Sequence, residues 1–165
     1  MSIQRSTPAA INIGTALNSL ATSATAGVQS GVVTSSTTAN VTDITANIDV
    51  VLPSITTPTG STKVDVYCWG TNDDAGYPGG SAGTEVITGS PGAITLSAIA
   101  NNALKYLGTI VVTLTSTVQT VRLDASIVAT LGFIPRRWGL AFVNNTGAAL
   151  GASGHAAEYV EIYYN

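Results

Sequence analysis

The stretch DITANIDVVLP, Asp43 to Pro53, decides the fold class. Ile44, Ala46, Ile48, Val50 and Leu52 occupy every second position, with Thr45, Asn47 and Asp49 between them. A period of two sends successive side chains to opposite faces of a strand, so the pattern predicts a β-strand with one buried face. Pro53 ends it, because proline has no N–H to give to a sheet ladder.

Working outward from this strand, TPTGST (57–62) is a cluster of turn residues. KVDVYCWG (63–70) puts Val64, Val66 and Cys68 on one face and Asp65, Tyr67 and Trp69 on the other. The loop TNDDAGYPGGSAGT (71–84) follows, and loops of this length in compact domains are uncommon and often functional. GTIVVTLTST and VQTVRLDAS read as two strands meeting near Ser116, and SIVATLG as one helical turn ending at Gly132. After Pro135, RRWGLAFVNNTG is a strand closed by a tight turn. In the last run, AEYVEIYYN, Val160, Ile162 and Tyr164 take one face, and Tyr159, Glu161 and Tyr163 the other.

Two regions read less sharply. Leu96, Ile99, Ala100, Ala103, Leu104 and Leu107 have helical spacing, but Asn101-Asn102 weakens a helix there. In residues 9–40, Leu17, Leu20 and Ala24 fit one helical stripe, yet Thr and Ser surround them, which favours short strands and turns. A segment that orders only on a partner is the second reading of that region. Residues 1–8 are polar, end at Pro8 and are expected to form an exposed N-terminal arm, with 9–165 as a single domain. Many short strands, no βαβ alternation and no repeat predict an all-β fold: an antiparallel β-sandwich, jelly-roll-like.

Composition narrows the function. Charged residues are 9% of the 165, against about 25% in ordinary domains. So weakly charged a surface is easily buried against neighbours, which favours an assembled protein. The net charge is −3, and of the basic residues only Arg136 and Arg137 are adjacent. Nucleic-acid binding needs a basic patch, so no nucleic-acid partner is expected. No run approaches the ~18 apolar residues that span a membrane, and MSIQRSTPAA lacks the pattern of a secretory signal, so no membrane partner is expected either.

The search for chemistry yields little, and no enzyme, cofactor or metal is expected. His155, the only histidine, lies in the small-residue loop GASGHAAEY with no nucleophile elbow in the chain, and reads as an exposed loop residue. Cys68, the only cysteine, alternates inward and reads as a small buried hydrophobe. Asp73-Asp74 beside Asn72 could hold Ca²⁺, but the alternating acids of a calcium loop are absent and an Asx turn is the simpler reading. Tyr67, Trp69, Tyr77 and Trp138 could build a platform for sugars, or could pack in a core or a subunit contact, where aromatics dominate. Arg136-Arg137 are expected to bridge subunits or meet a partner's surface rather than bind nucleic acid.

The chain as a whole resembles a diffuse group of small tailed-bacteriophage virion structural proteins. The opening INIGTALNSLATSATAGVQSGVV, then TANIDVVL, VYCWGTND and DDAGYPG carry the likeness. Its most specific part is IPRRWGLAFVNNTGAALGASG, with Pro-x-x-Trp-Gly followed by Asn-x-Thr-Gly-x-x-Leu, before a Tyr-rich final strand. The resemblance covers most of residues 9–164 and contains no site chemistry, so no functional residue is carried over. It implies a capsid decoration or cement protein on the virion exterior, made in the host cytoplasm. Its partners would be the major capsid protein and itself, as a homotrimer rather than a dimer. In that setting Trp138, Gly139, Asn145, Thr146 and Gly147 are fold positions. A carbohydrate-binding module on a tail or fibre is the alternative.

Overall fold

The computed structural model describes residues 2–37, 40–59, 61–78, 87–95, 103–113 and 116–165. Among them the chain forms β1 (Ile3–Arg5), β2 (Ala9–Ala10), β3 (Ala26–Gln29), β4 (Val33–Thr34), β5 (Asn40–Leu52) and β6 (Lys63–Thr71). Then follow β7 (Gly92–Thr95), β8 (Lys105–Val111), β9 (Gln119–Ser126), α1 (Ile127–Leu131), β10 (Arg137–Asn145) and β11 (Ala156–Tyr164). The fold is all-β, and every strand pairing is antiparallel.

Two sheets share one core in a sandwich-like arrangement. The first runs β1-β11-β5-β9, with β2 beside β1 on the same edge of β11. The second runs β7-β3-β10-β6-β8, with β4 also on β10. If β1/β2 and β3/β4 are each taken as one interrupted strand and β7 is set aside, the pairing is nested. The first strand pairs with the last (β11), the second with β10, β5 with β9, and β6 with β8. The chain is thus a long hairpin rolled up until β11 meets β5 and β10 meets β6.

The expected buried face of β5 is observed: Ile44, Ala46, Ile48, Val50 and Leu52 are all fully buried. They pack against Val64, Val66 and Cys68 of β6 and Trp138, Leu140 and Phe142 of β10. Each such aliphatic side chain contributes about 1.5–3 kcal/mol by leaving water. Near the start of β5 the register with β11 shifts between Ile162 and Tyr163, so that Val41 also reaches the core.

Residues 9–37 form short strands and turns, as their Ser/Thr content suggested. Leu17 and Leu20 pack on the core while Ala24 is exposed, so no helical stripe forms. The helical turn appears as α1, capped by the Ser126 hydroxyl, which accepts from Ala129 N–H, and closed by Gly132 at φ 80°. Of the ambiguous segment, Leu96, Ile99 and Ala100 lie outside the described residues, while Leu107 belongs to β8. Ser2 to Arg5 are exposed, and β1 lies along β11 with Ile3 opposite Tyr164.

Candidate interaction surfaces

Tyr67 and Trp69 do share the outer face of the second sheet, yet Trp69 is fully buried. It packs with Ile87, Ile94, Leu104 and Ala141 in a second, smaller core, and meets the Tyr77 ring edge-on at 5.6 Å. Its indole lies over Gly139, where a Cβ would come within 2.8 Å of three ring atoms. Trp138 is buried in the main core, edge-on to Tyr159 at 5.5 Å. Neither tryptophan offers a face to a sugar. On this outer face Tyr106 is more exposed than Tyr77 and lies edge-on to Tyr67 at 5.6 Å. Beside it the buried Asp65 carboxylate takes Lys63 Nζ at 3.0 Å, Thr109 Oγ1 at 2.7 Å and Asn145 Nδ2 at 2.9 Å.

The arginine pair and the acidic loop come together. Asp74 forms an ion pair with Arg136. Arg137 donates to the Asp74 carbonyl at 2.9 Å and to the Tyr77 hydroxyl at 2.5 Å, with its guanidinium 4.4 Å from the Tyr77 ring centroid. Both arginines therefore fasten the loop to β10. Asp73 accepts from Ala75 N–H at 2.8 Å in an Asx turn, and the Ala75 and Gly76 N–H groups hold its carboxyl below the usual value. The two neighbouring carboxylates serve different partners. Among the described residues no group of three His, Cys, Asp or Glu side chains could hold a metal ion. Residues 79–84 of the loop lie outside the described residues.

Cys68 is buried on the inward face of β6, and loss of solvent pushes its thiol up to about 12, so it stays protonated and unreactive. His155 is half-buried rather than exposed, and both ring nitrogens are engaged. Nδ1 accepts the Val51 N–H at 3.1 Å, which leaves Nε2 to donate to the Gly151 carbonyl at 2.9 Å. The ring staples the 151–155 loop to the end of β5.

The Asn-x-Thr-Gly block is a buried amide network. Asn144, with no exposed surface, donates from Nδ2 to the carbonyls of Leu20 at 2.7 Å and Ala148 at 2.8 Å. Its Oδ1 accepts from Thr146 N–H at 2.9 Å and Oγ1 at 2.7 Å. These bonds shape the turn after β10 and pin the Leu20 segment to it. The Asn-x-Thr-Gly motif read from the sequence begins at Asn144, yet the fold positions expected there are Asn145, Thr146 and Gly147; Asn144 is the residue that organises the turn.

The remaining surface of interest is the end of the sandwich where β1 starts, β11 finishes and α1 leads into β10. Four of the eight large exposed hydrophobics among the described residues, Ile3, Tyr164, Phe133 and Ile134, belong to these segments. Residues 35–36 bridge the two sheets at this end. Ser35 N–H donates to the Arg136 carbonyl at 2.9 Å, and Ser36 N–H to Glu161 Oε1 at 2.8 Å. On either side of Ser36 lies a cleft: one of about 460 Å³ beside Glu161, and one of about 220 Å³ beside Ile134 and Pro135.

Comparison with protein-family models finds no match, and comparison with curated proteins finds none. Among the described residues no helix is long and apolar enough to cross a membrane.

Proposed function

We propose that this protein is a structural component of a tailed-phage virion: a decoration or cement protein that binds the outer capsid surface and stabilises the shell. The observation that carries the reading is the nested strand pairing. Four concentric antiparallel pairs wound alternately into two sheets are the order of a jelly roll, with β7 as an added edge strand. Jelly rolls are frequent in viral capsid and lectin domains. This support is an analogy of fold, and three features of the chain strengthen it. Charge is sparse, at 9% of residues. The conspicuous polar side chains — Asp65, Asn144, His155, Arg136 and Arg137 — are spent on holding the fold. Half of the large exposed hydrophobics among the described residues belong to the segments at one end, where they could serve a docking surface. Many copies at the seams between capsid subunits would each bury such an end, and the sum would resist outward pressure. The partners of this reading are the major capsid protein and the chain itself, as a homotrimer at local threefold positions.

The test is the copy number per purified particle, by quantitative mass spectrometry against the major capsid protein. Hundreds of copies in simple ratio to the shell are expected. A handful would move the protein to a tail or fibre, and absence from particles would overturn the reading.

One observation favours the carbohydrate-binding alternative. Tyr106 is 54% exposed on the outer face of the second sheet, next to Tyr67, Lys63 and the Asp65 cluster. A ring with polar groups at its rim can stack on a pyranose. This reading predicts glycan-array binding that is lost in Tyr106→Ala with the fold intact, and a blank array counts against it.

A further inference from the structure

Glu161 is the most unusually placed charge in the molecule. It sits on β11 opposite Ile44, on the inward face of its sheet, and is only 7% exposed. An ionised carboxylate taken from water is costly unless it is paired. The other buried carboxylate, Asp65, has the Lys63 ammonium at 3.0 Å. Glu161 has no such cation among the described residues. Its carboxylate receives one hydrogen bond, from the Ser36 N–H to Oε1 at 2.8 Å. Around it the main chain is fixed: Ser6 N–H donates to the Glu161 carbonyl, and Glu161 N–H to Ser6 Oγ, each at 2.9 Å.

The same carboxylate lines the cleft of about 460 Å³, with Ser6, Ser36, Asn40, Tyr163 and Asn165. Its neighbours supply hydroxyls, amide oxygens and tyrosine rings, all of which accept N–H donors or attract a cation. The lining contains no lysine, arginine or histidine. A preformed polar cleft with a single, half-satisfied anion is complementary to one positive charge on a side chain long enough to enter it. Tyr163 and Tyr164 stand in the cleft wall, and Tyr164 pairs with Ile3 across the β1–β11 edge.

We infer that this cleft receives an arginine or lysine side chain from a partner protein, with Glu161 as its counter-ion and Tyr163 and Tyr164 as its aromatic wall. The inference deepens the capsid reading, on which the identity of the partner rests, by assigning the attachment end and the chemistry it recognises. An inserted cation would complete the pairing that Glu161 lacks among the described residues. Partner contacts of this kind, a charge pair taken out of water, are where binding energy concentrates.

The experiment uses the full chain and two small probes, N-acetyl-arginine amide and its neutral isostere N-acetyl-citrulline amide, followed by NMR titration. The expected result is saturable shifts at Tyr163 and Asn165 with the arginine probe, and weaker or absent shifts with citrulline. Glu161→Gln should weaken arginine binding by about tenfold or more, the worth of one charge-assisted hydrogen bond. Its thermal melt confirms that the variant is folded. Should it not fold, Tyr163→Ala and Asn165→Ala carry the same test from the cleft wall. Equal binding of both probes, no saturable shift, or undiminished binding in the folded variants overturns the inference. A neutral methyl glycoside that shifts the same residues in place of arginine also overturns it and makes the cleft a sugar site. These outcomes are independent of copy number per particle, so the cleft and the capsid reading can fail separately.

Discussion

At the scale of single residues, polar side chains in this protein hold the fold by satisfying named partners. Asn144 shows this most sharply, because its amide both donates twice and accepts twice in a site without solvent. Asn144→Asp keeps the shape and removes both donors, leaving a carboxylate facing the carbonyls of Leu20 and Ala148. The expected loss is about 3 kcal/mol or more, as for a buried unpaired charge, measured by urea denaturation. A loss under about 1 kcal/mol would mean that the network is not formed. The surface pair Asp49–Arg122 gives a smaller, pH-dependent effect. Two hydrogen bonds, at 2.8 and 2.7 Å, and the attraction of the guanidinium hold the Asp49 carboxyl below its ordinary 3.8. A depressed folded pKa contributes stability that is present above the unfolded value and lost as pH falls through the folded one. The melting temperature should therefore be flat with respect to this pair above about pH 5 and decline below about pH 4. Arg122→Gln should lower stability at neutral pH by only about 0.2–1 kcal/mol, because the pair is largely solvated, and should flatten the acid decline. An unchanged acid limb would show that the pair is not made in solution.

At the scale of elements, what the sequence discloses depends on whether an element's environment is local. β5 is legible because its alternation is its own, and α1 because Ser126 and Gly132 cap it within seven residues of sequence. The inward face of β11 is not legible. Its more apolar set, Val160, Ile162 and Tyr164, turns outward, while Ala157, Tyr159 and Glu161 face the core. That choice is set by register with Ile48, Ala46 and Ile44, more than a hundred residues away in the chain. Trp69 hides for a similar reason. Its strand pattern places it on an outer face, and only residues such as Tyr77, Ile87 and Ile94, folded back over that face, bury it. Glu161 was invisible as a site because its burial, its Ser36 partner and its cleft all come from distant segments. The N-terminal strand is legible as exposed, and its pairing with β11 is the new information. Deleting residues 2–8 removes exposed side chains and a short edge pairing, so the domain should stay folded, with a melting temperature lower by roughly 5 °C. Attachment to capsids lacking the protein should weaken, since Ile3 and Ser6 leave the proposed docking end. Full attachment of the truncated chain would remove that end from consideration.

At the scale of the whole molecule, sparse charge and the clustering of apolar side chains point the same way. A chain with a net charge of only −3 has little long-range repulsion to keep copies apart. Among the described residues its sheets also leave edges: β1 and β2 on one side of the first sheet and β9 on the other, and β7 and β8 on the two sides of the second. Open edges are templates for association unless they are short or charged. β1, β2 and β7 are short, β9 carries Arg122 and Asp124 and β8 carries Lys105, so edge-to-edge pairing is disfavoured and association should proceed through the apolar end. A closed ring in which that end meets neighbours near a threefold axis would satisfy both features without running on into fibres. Sedimentation velocity across a concentration series should then show the 16.7 kDa chain converting to a species of about 50 kDa, three times its mass. Ile3→Ser combined with Ile134→Ser should shift that equilibrium back to the monomer while leaving the thermal melt nearly unchanged, because both side chains are exposed in the isolated fold. A monomer at every concentration would remove self-assembly from the proposal and leave the apolar end to the capsid lattice alone. A trimer insensitive to the double substitution would place the contact elsewhere, with the Tyr106 face of the second sheet as the next surface to alter.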